Sequence, residues 1–89
     1  MTTQTAPAKP VRTETWQDKK KGLSTRKDFV MQTPITCGTC LQTQISIYTY
    51  GNGEEQAYID YGSNTPFFCS VEYARDVAKS QLEAGYKFI

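Results

Sequence analysis

The sequence predicts a small α+β domain: a cysteine-bearing turn, an antiparallel β-hairpin and one C-terminal helix, preceded by a basic arm. Three observations carry this. Residues 41–50 alternate at strand period and run into Gly51-Asn52-Gly53-Glu54, whose Gly and Asn accept the positive φ of a tight hairpin turn. Val71, Ala74, Val77, Ala78 and Leu82 recur at spacings of three and four, the period of an amphipathic helix. Residues 1–27 hold little apolar periodicity but most of the positive charge.

The elements follow in chain order. Met1 to Lys27, rich in Thr, Pro, Ala and Lys, reads as a flexible basic arm, with Trp16 and Leu23 as its only large apolar groups near the body. The folded body is expected over 28–89. Phe29-Val30-Met31 is β-prone and ends before Pro34, as in an edge or terminal strand. After Cys37-Gly38-Thr39-Cys40, the strand at 41–50 puts Ile45, Ile47 and Thr49 on one face and Gln44, Ser46, Tyr48 and Tyr50 on the other. A return strand over 56–61 puts Ala57, Ile59 and Tyr61 on one face, and Gly62 to Pro66 breaks the sheet. Ser70 suits an N-cap and Gly85 a helix stop, and the apolar tail Tyr86 to Ile89 suits a returning strand or a partner. The expected core is Phe29, Ile35, Leu41, Ile45, Ile47, Ile59, Phe67, Phe68, Val71, Ala74, Val77, Ala78 and Leu82.

Length and composition narrow the function. A chain of 89 residues buries little apolar surface, so a staple or a partner is expected to help it. Three cysteines make an incomplete disulfide framework. With no histidine, the usual general base, proton shuttle and nitrogen ligand are all missing, and neither paired catalytic carboxylates nor a glycine-rich phosphate loop can be assembled, so an enzyme is not expected. No apolar run approaches the roughly 18 residues of a membrane span, and the expectation is a soluble cytoplasmic protein with reduced thiols.

The cysteines carry the sharpest motif. Cys37-x-x-Cys40 precedes an alternating strand rather than a helix, and Gly38 lets backbone amides face sulfur, the arrangement of a zinc knuckle rather than of a redox pair at a helix N-terminus. Cys69 falls at the expected start of the helix. Phe68-Cys69-Ser70 with the upstream Cys-x-x-Cys resembles the FCS-type zinc fingers of the treble-clef group, over about Thr36 to Lys79. The resemblance implies a treble-clef-like fold, one Zn²⁺ and a recognition role toward protein or RNA. The family's fourth cysteine position is Tyr73 here, and a phenol with a pKa near 10 is a poor ligand at neutral pH. Either the metal is lost or an oxygen completes the shell, with Glu72, three residues after Cys69, the first candidate, then Asp60 and Asp76. The set is then Cys37, Cys40, Cys69 and Glu72. Equally, buried free cysteine is ordinary core packing.

The binding residues come from two other patterns. Tyr48, Tyr50 and Tyr58 fall on the hairpin face opposite the isoleucines, where exposed aromatic groups suit protein contact or base stacking, although strand propensity alone also places tyrosine there. Trp16 with Lys19, Lys20, Lys21, Arg26 and Lys27 reads as a basic arm with an aromatic anchor. The seven basic residues of 1–27 against Glu14 and Asp18 leave +5 there, and −4 on the rest. The leading expectation is a protein-binding adaptor or inhibitor that attaches to a larger protein through its arm and tyrosine face. An RNA- or DNA-binding protein is the second, and a thiol redox protein using Cys37 and Cys40 the third.

Overall fold

The computed structural model describes residues 9–33, 41–62 and 65–89. They form an antiparallel sheet with a single helix against one face. The elements are β1 (Arg12–Asp18), β2 (Gly22–Gln32), β3 (Gln42–Thr49), β4 (Glu55–Asp60), β5 (Phe67–Cys69), α1 (Val71–Glu83) and β6 (Lys87–Phe88). The first five strands lie side by side in chain order, so each pairs with the next. The two-residue β6 pairs with β2 through Met31↔Phe88 and Gln32↔Lys87, continuing the edge that β1 leaves after Asp28.

The α+β class stands, with a wider sheet than the expected hairpin. Beyond β5 and β6, the addition comes from the segment expected as an arm. Residues 12–18 and 22–27 are β1 and the first half of β2, paired from Arg12↔Asp28 to Asp18↔Gly22, so the expected boundary at 27/28 runs through the middle of a strand. The physical reason is local. Thr13, Thr15 and Thr25 are β-branched, and Asp18 makes the turn between them: its Oδ1 accepts the backbone N–H groups of Lys20 and Lys21 at 2.9 Å each. Gly22, at φ +87°, then takes the left-handed turn that a side chain resists. The lysine run is thus a hairpin turn.

The β3–β4 hairpin forms as its alternation predicts, in register Ile45↔Ile59, Ser46↔Tyr58 and Ile47↔Ala57. Its turn packs on the first one. A Cβ on Gly51 would fall 2.6 Å from the Lys21 carbonyl oxygen and 2.8 Å from both N and O of Leu23, so only glycine lets the two turns touch.

The helix starts where Ser70 caps it, the hydroxyl accepting the Tyr73 N–H at 3.1 Å, and ends at Gly85 with φ +101°. It lies across β3 and β4. The core beneath is Met31, Ile45, Ala57, Ile59 and Ala74, with Ile47, Phe67, Cys69, Val71, Val77, Ala78, Tyr86 and Phe88 packed around it. Leu41, Phe68 and Leu82, expected inside, are exposed, and Ile35 lies outside the described residues. Phe68 faces away from Phe67 because β5 is a strand, where neighbours alternate.

Candidate functional site

Helix α1 covers one face of the sheet, and among the described residues no element covers the other. Because cross-strand partners share a face, the register assigns the bare face directly: Trp16 opposite Ser24, Arg26 opposite Tyr48, and the row Asp28, Ser46, Tyr58, Phe68 across four strands.

Five aromatic side chains meet there. Trp16 stands edge-on to Tyr48 (ring centroids 6.2 Å, 79°) and to Tyr50 (6.1 Å, 89°), while Tyr48 and Tyr50 lie nearly parallel, 6.4 Å apart. Phe68 extends the cluster, 6.2 Å from Tyr48 and 4.9 Å from Tyr58. Edge-to-face contacts of this kind hold rings in place beyond simple burial. Phe68 remains 57% exposed and projects most of its ring to solvent.

Charges thread the cluster in pairs. The Arg26 guanidinium donates from Nε and one terminal nitrogen to the two Asp28 oxygens, each at 2.9 Å, and Ser46 Oγ donates to Asp28 Oδ1 at 2.7 Å. Asp28 is only 4% exposed. Its carboxyl is held below the ordinary carboxylate value by the hydrogen bonds from Arg26, with the Ser46 bond and the positive charges of Arg26 and Arg12 adding to them against the cost of burial. Arg26 also lies over Tyr48, 5.9 Å from the ring centroid, and Lys21 over Tyr50 at 4.1 Å. Lys21 Nζ pairs with Glu54 at 2.7 Å, and Arg12 pairs with Glu14. The ammonium of Lys21 is accordingly held above its ordinary value, first by the Glu54 hydrogen bond.

Of the expected partner-binding residues, the structure gathers Trp16, Lys21, Arg26, Tyr48, Tyr50 and Tyr58 on or beside this face. Lys19 and Lys20 sit exposed in the adjoining turn. Lys27 does not join them: opposite Ile47, it belongs to the helix face and lines a groove there. Phe68 and Asp28 were not legible as site residues. The alternation of Phe67, Phe68 and Cys69 was the available signal for the first.

The expected metal set is not assembled by the described residues. Cys37 and Cys40 lie outside them. Cys69 sits in β5 opposite Ala57, half-buried against the core, and burial pushes its thiol above the ordinary value. Glu72 is exposed in the first turn of α1, and Tyr73 packs edge-on to Phe67. Among the described residues no three Cys, Asp or Glu side chains cluster closely enough for a metal ion. The register adds a distance. Cys69 is level with Ala57 and hence with Ile47, five residues along β3 from Gln42, where that strand begins, or roughly 17 Å. Of the expected set, the described residues include only Cys69 and Glu72.

Comparison with protein families, curated proteins and solved structures finds no match to this chain. No helix among the described residues is long and apolar enough to cross a membrane.

Proposed function

We propose that this chain is a non-enzymatic binding module that docks a protein partner on the helix-free face of its sheet. The observation that carries the reading is the contiguous cluster of Trp16, Tyr48, Tyr50, Tyr58 and Phe68 on a face that no element among the described residues covers. Tyrosine and tryptophan dominate interface energetics because they bring large area at little entropic cost, and they concentrate at interface centres. The charges around the rings favour a protein over a polyphosphate. Arg12, Lys21 and Arg26 each have a carboxylate partner, so little uncompensated positive charge faces outward among the rings. Paired charges around an aromatic centre match the polar rim of a protein interface.

Single-stranded nucleic acid is the second reading, supported by Lys19 and Lys20. They form no ion pair among the described residues and stand in the turn that adjoins Trp16 and Tyr50.

One pair of measurements separates the readings. Capture experiments with the wild-type chain and with Tyr58→Ser/Phe68→Ser should retain a protein on the first and lose it on the second, at both low and high salt. Titration of a single-stranded oligonucleotide, followed by the fluorescence of the lone tryptophan, should show no saturation at physiological salt. Saturable binding that weakens log-linearly with salt would move the assignment to nucleic acid.

A further inference from the structure

The opposite face of the sheet holds an apolar groove at the edge of the core, away from the aromatic cluster. Helix α1 packs chiefly on β4, and beside it an open groove of about 310 Å³ is lined by residues of β2, β3, α1 and β6. Phe29, Ile47, Val71, Ala78 and Phe88 make its apolar walls. The rings of Phe29 and Phe88 meet edge to face at 6.3 Å. The groove opens to solvent, and its volume is comparable with the smaller ligand pockets of proteins.

Its polar lining has one sign. Lys27 and Arg75 are the charged residues in the wall, both exposed, and no Asp or Glu lines it. Neither cation forms an ion pair or a side-chain hydrogen bond among the described residues, in contrast to Arg12, Lys21 and Arg26 on the other face. Apolar walls ask for a hydrocarbon, and two unpartnered cations ask for an anion attached to it.

We propose that this groove binds a free amphiphilic carboxylate of medium chain length, with its hydrocarbon between α1 and β2 and its carboxylate held by Lys27 and Arg75. Arginine supplies a forked donor and lysine a point charge, a pairing suited to one carboxylate. The hydrocarbon contributes affinity by burial and the cations contribute selectivity for the head group. The site lies on the face opposite Trp16 and Phe68, so its occupancy is independent of the docking reading above.

Decanoate is the probe. Titrated into the full chain and followed by calorimetry and by chemical shifts of Phe29, Phe88 and Ala78, it should bind saturably at one equivalent. Octanoate should bind about 15-fold more weakly, the loss expected for two buried methylene groups. Decanol should bind at least tenfold more weakly than decanoate. Lys27→Gln with Arg75→Gln, both at exposed positions, should cost decanoate at least tenfold and leave decanol unchanged. Ala78→Leu, which fills the groove, should weaken both ligands. Absence of saturable decanoate binding would overturn the proposal, as would equal affinity of the double glutamine variant. A dimer in sedimentation equilibrium that Ala78→Arg dissociates would assign the groove to a second copy instead, and would also overturn it.

Discussion

The two faces of one sheet solve opposite problems with neighbouring residues. Along β4, Ala57 and Ile59 point under the helix and are fully buried, while Tyr58 between them points to the bare face and stays half-exposed beside Phe68. The helix face has an aliphatic centre buried under α1, with Phe67 and Phe88 packed around it, so it sets stability. The bare face is aromatic and held by ring contacts and charge pairs, so its side chains are positioned but not consumed by folding. A period of two lets one strand serve both purposes.

The largest effect that tests this division is on the buried side. Ile59→Ala removes a fully buried side chain and should lower unfolding free energy by about 3 kcal/mol, read from the urea midpoint. Tyr58→Ala, one residue away, should cost about 1 kcal/mol or less, since it forfeits a ring pair on an open surface. Equal costs would erase the distinction between the faces.

The next effect concerns the one carboxylate buried on the bare face. Asp28 has its folded pKa below its ordinary 3.8, so its contribution is complete above about pH 5 and is lost as pH falls through 3.8 toward the lower folded value. Stability should therefore drop in acid more steeply for the wild type than for Asp28→Asn. At neutral pH that variant should be about 2 kcal/mol less stable, because it weakens the forked bond to Arg26 and the hydrogen bond from Ser46. Identical pH profiles of the two proteins would show that Asp28 is not the acid-sensitive group.

Much of the closed face was legible in the sequence, and the reason is range. The alternation of residues 41–50, the Gly-Asn-Gly turn, the Ser70 cap and the Gly85 stop are each written within a few residues, and each appears as expected. The tyrosine face was legible for the same reason. What sequence missed depended on long-range pairing. β1 has a single large apolar residue, Trp16, and becomes a strand because β2 supplies its hydrogen bonds, a fact no local window contains. The lysine run then drew the reading toward a mobile arm, although Asp18 and Gly22 around it carry the marks of a turn. Met31 and Ala57 were missed as core because burial there comes from the wider sheet and the crossing helix.

A smaller effect on stability but a large one on recognition is expected at Phe68. Being 57% exposed, it should cost less than about 1 kcal/mol when changed to Ala, yet its loss should weaken partner binding by at least tenfold if the bare face is the docking surface. A binding curve unchanged by Phe68→Ala, with the fold intact, would remove the aromatic cluster from the function.

The smallest expected effect is the most informative about the cysteines. Cys69 belongs to the closed face: its thiol is half-buried against the aliphatic core, with its pKa raised by that burial, and it sits about five residues along the sheet from the strand end that follows Cys40. A domain stapled by zinc owes it on the order of 10 kcal/mol and unfolds when a chelator takes the metal. Among the described residues, Cys69 packs against the core as a half-buried side chain, and the expectation is that the antiparallel sheet and the capped helix hold without a metal. Incubation with excess chelator should leave the melting temperature unchanged, and Cys69→Ala should lower stability by about 1 kcal/mol, with or without chelator present. Unfolding on chelation would mean that the cysteines converge after all, and the division between a self-sufficient closed face and a displayed open one would have to be redrawn around a metal.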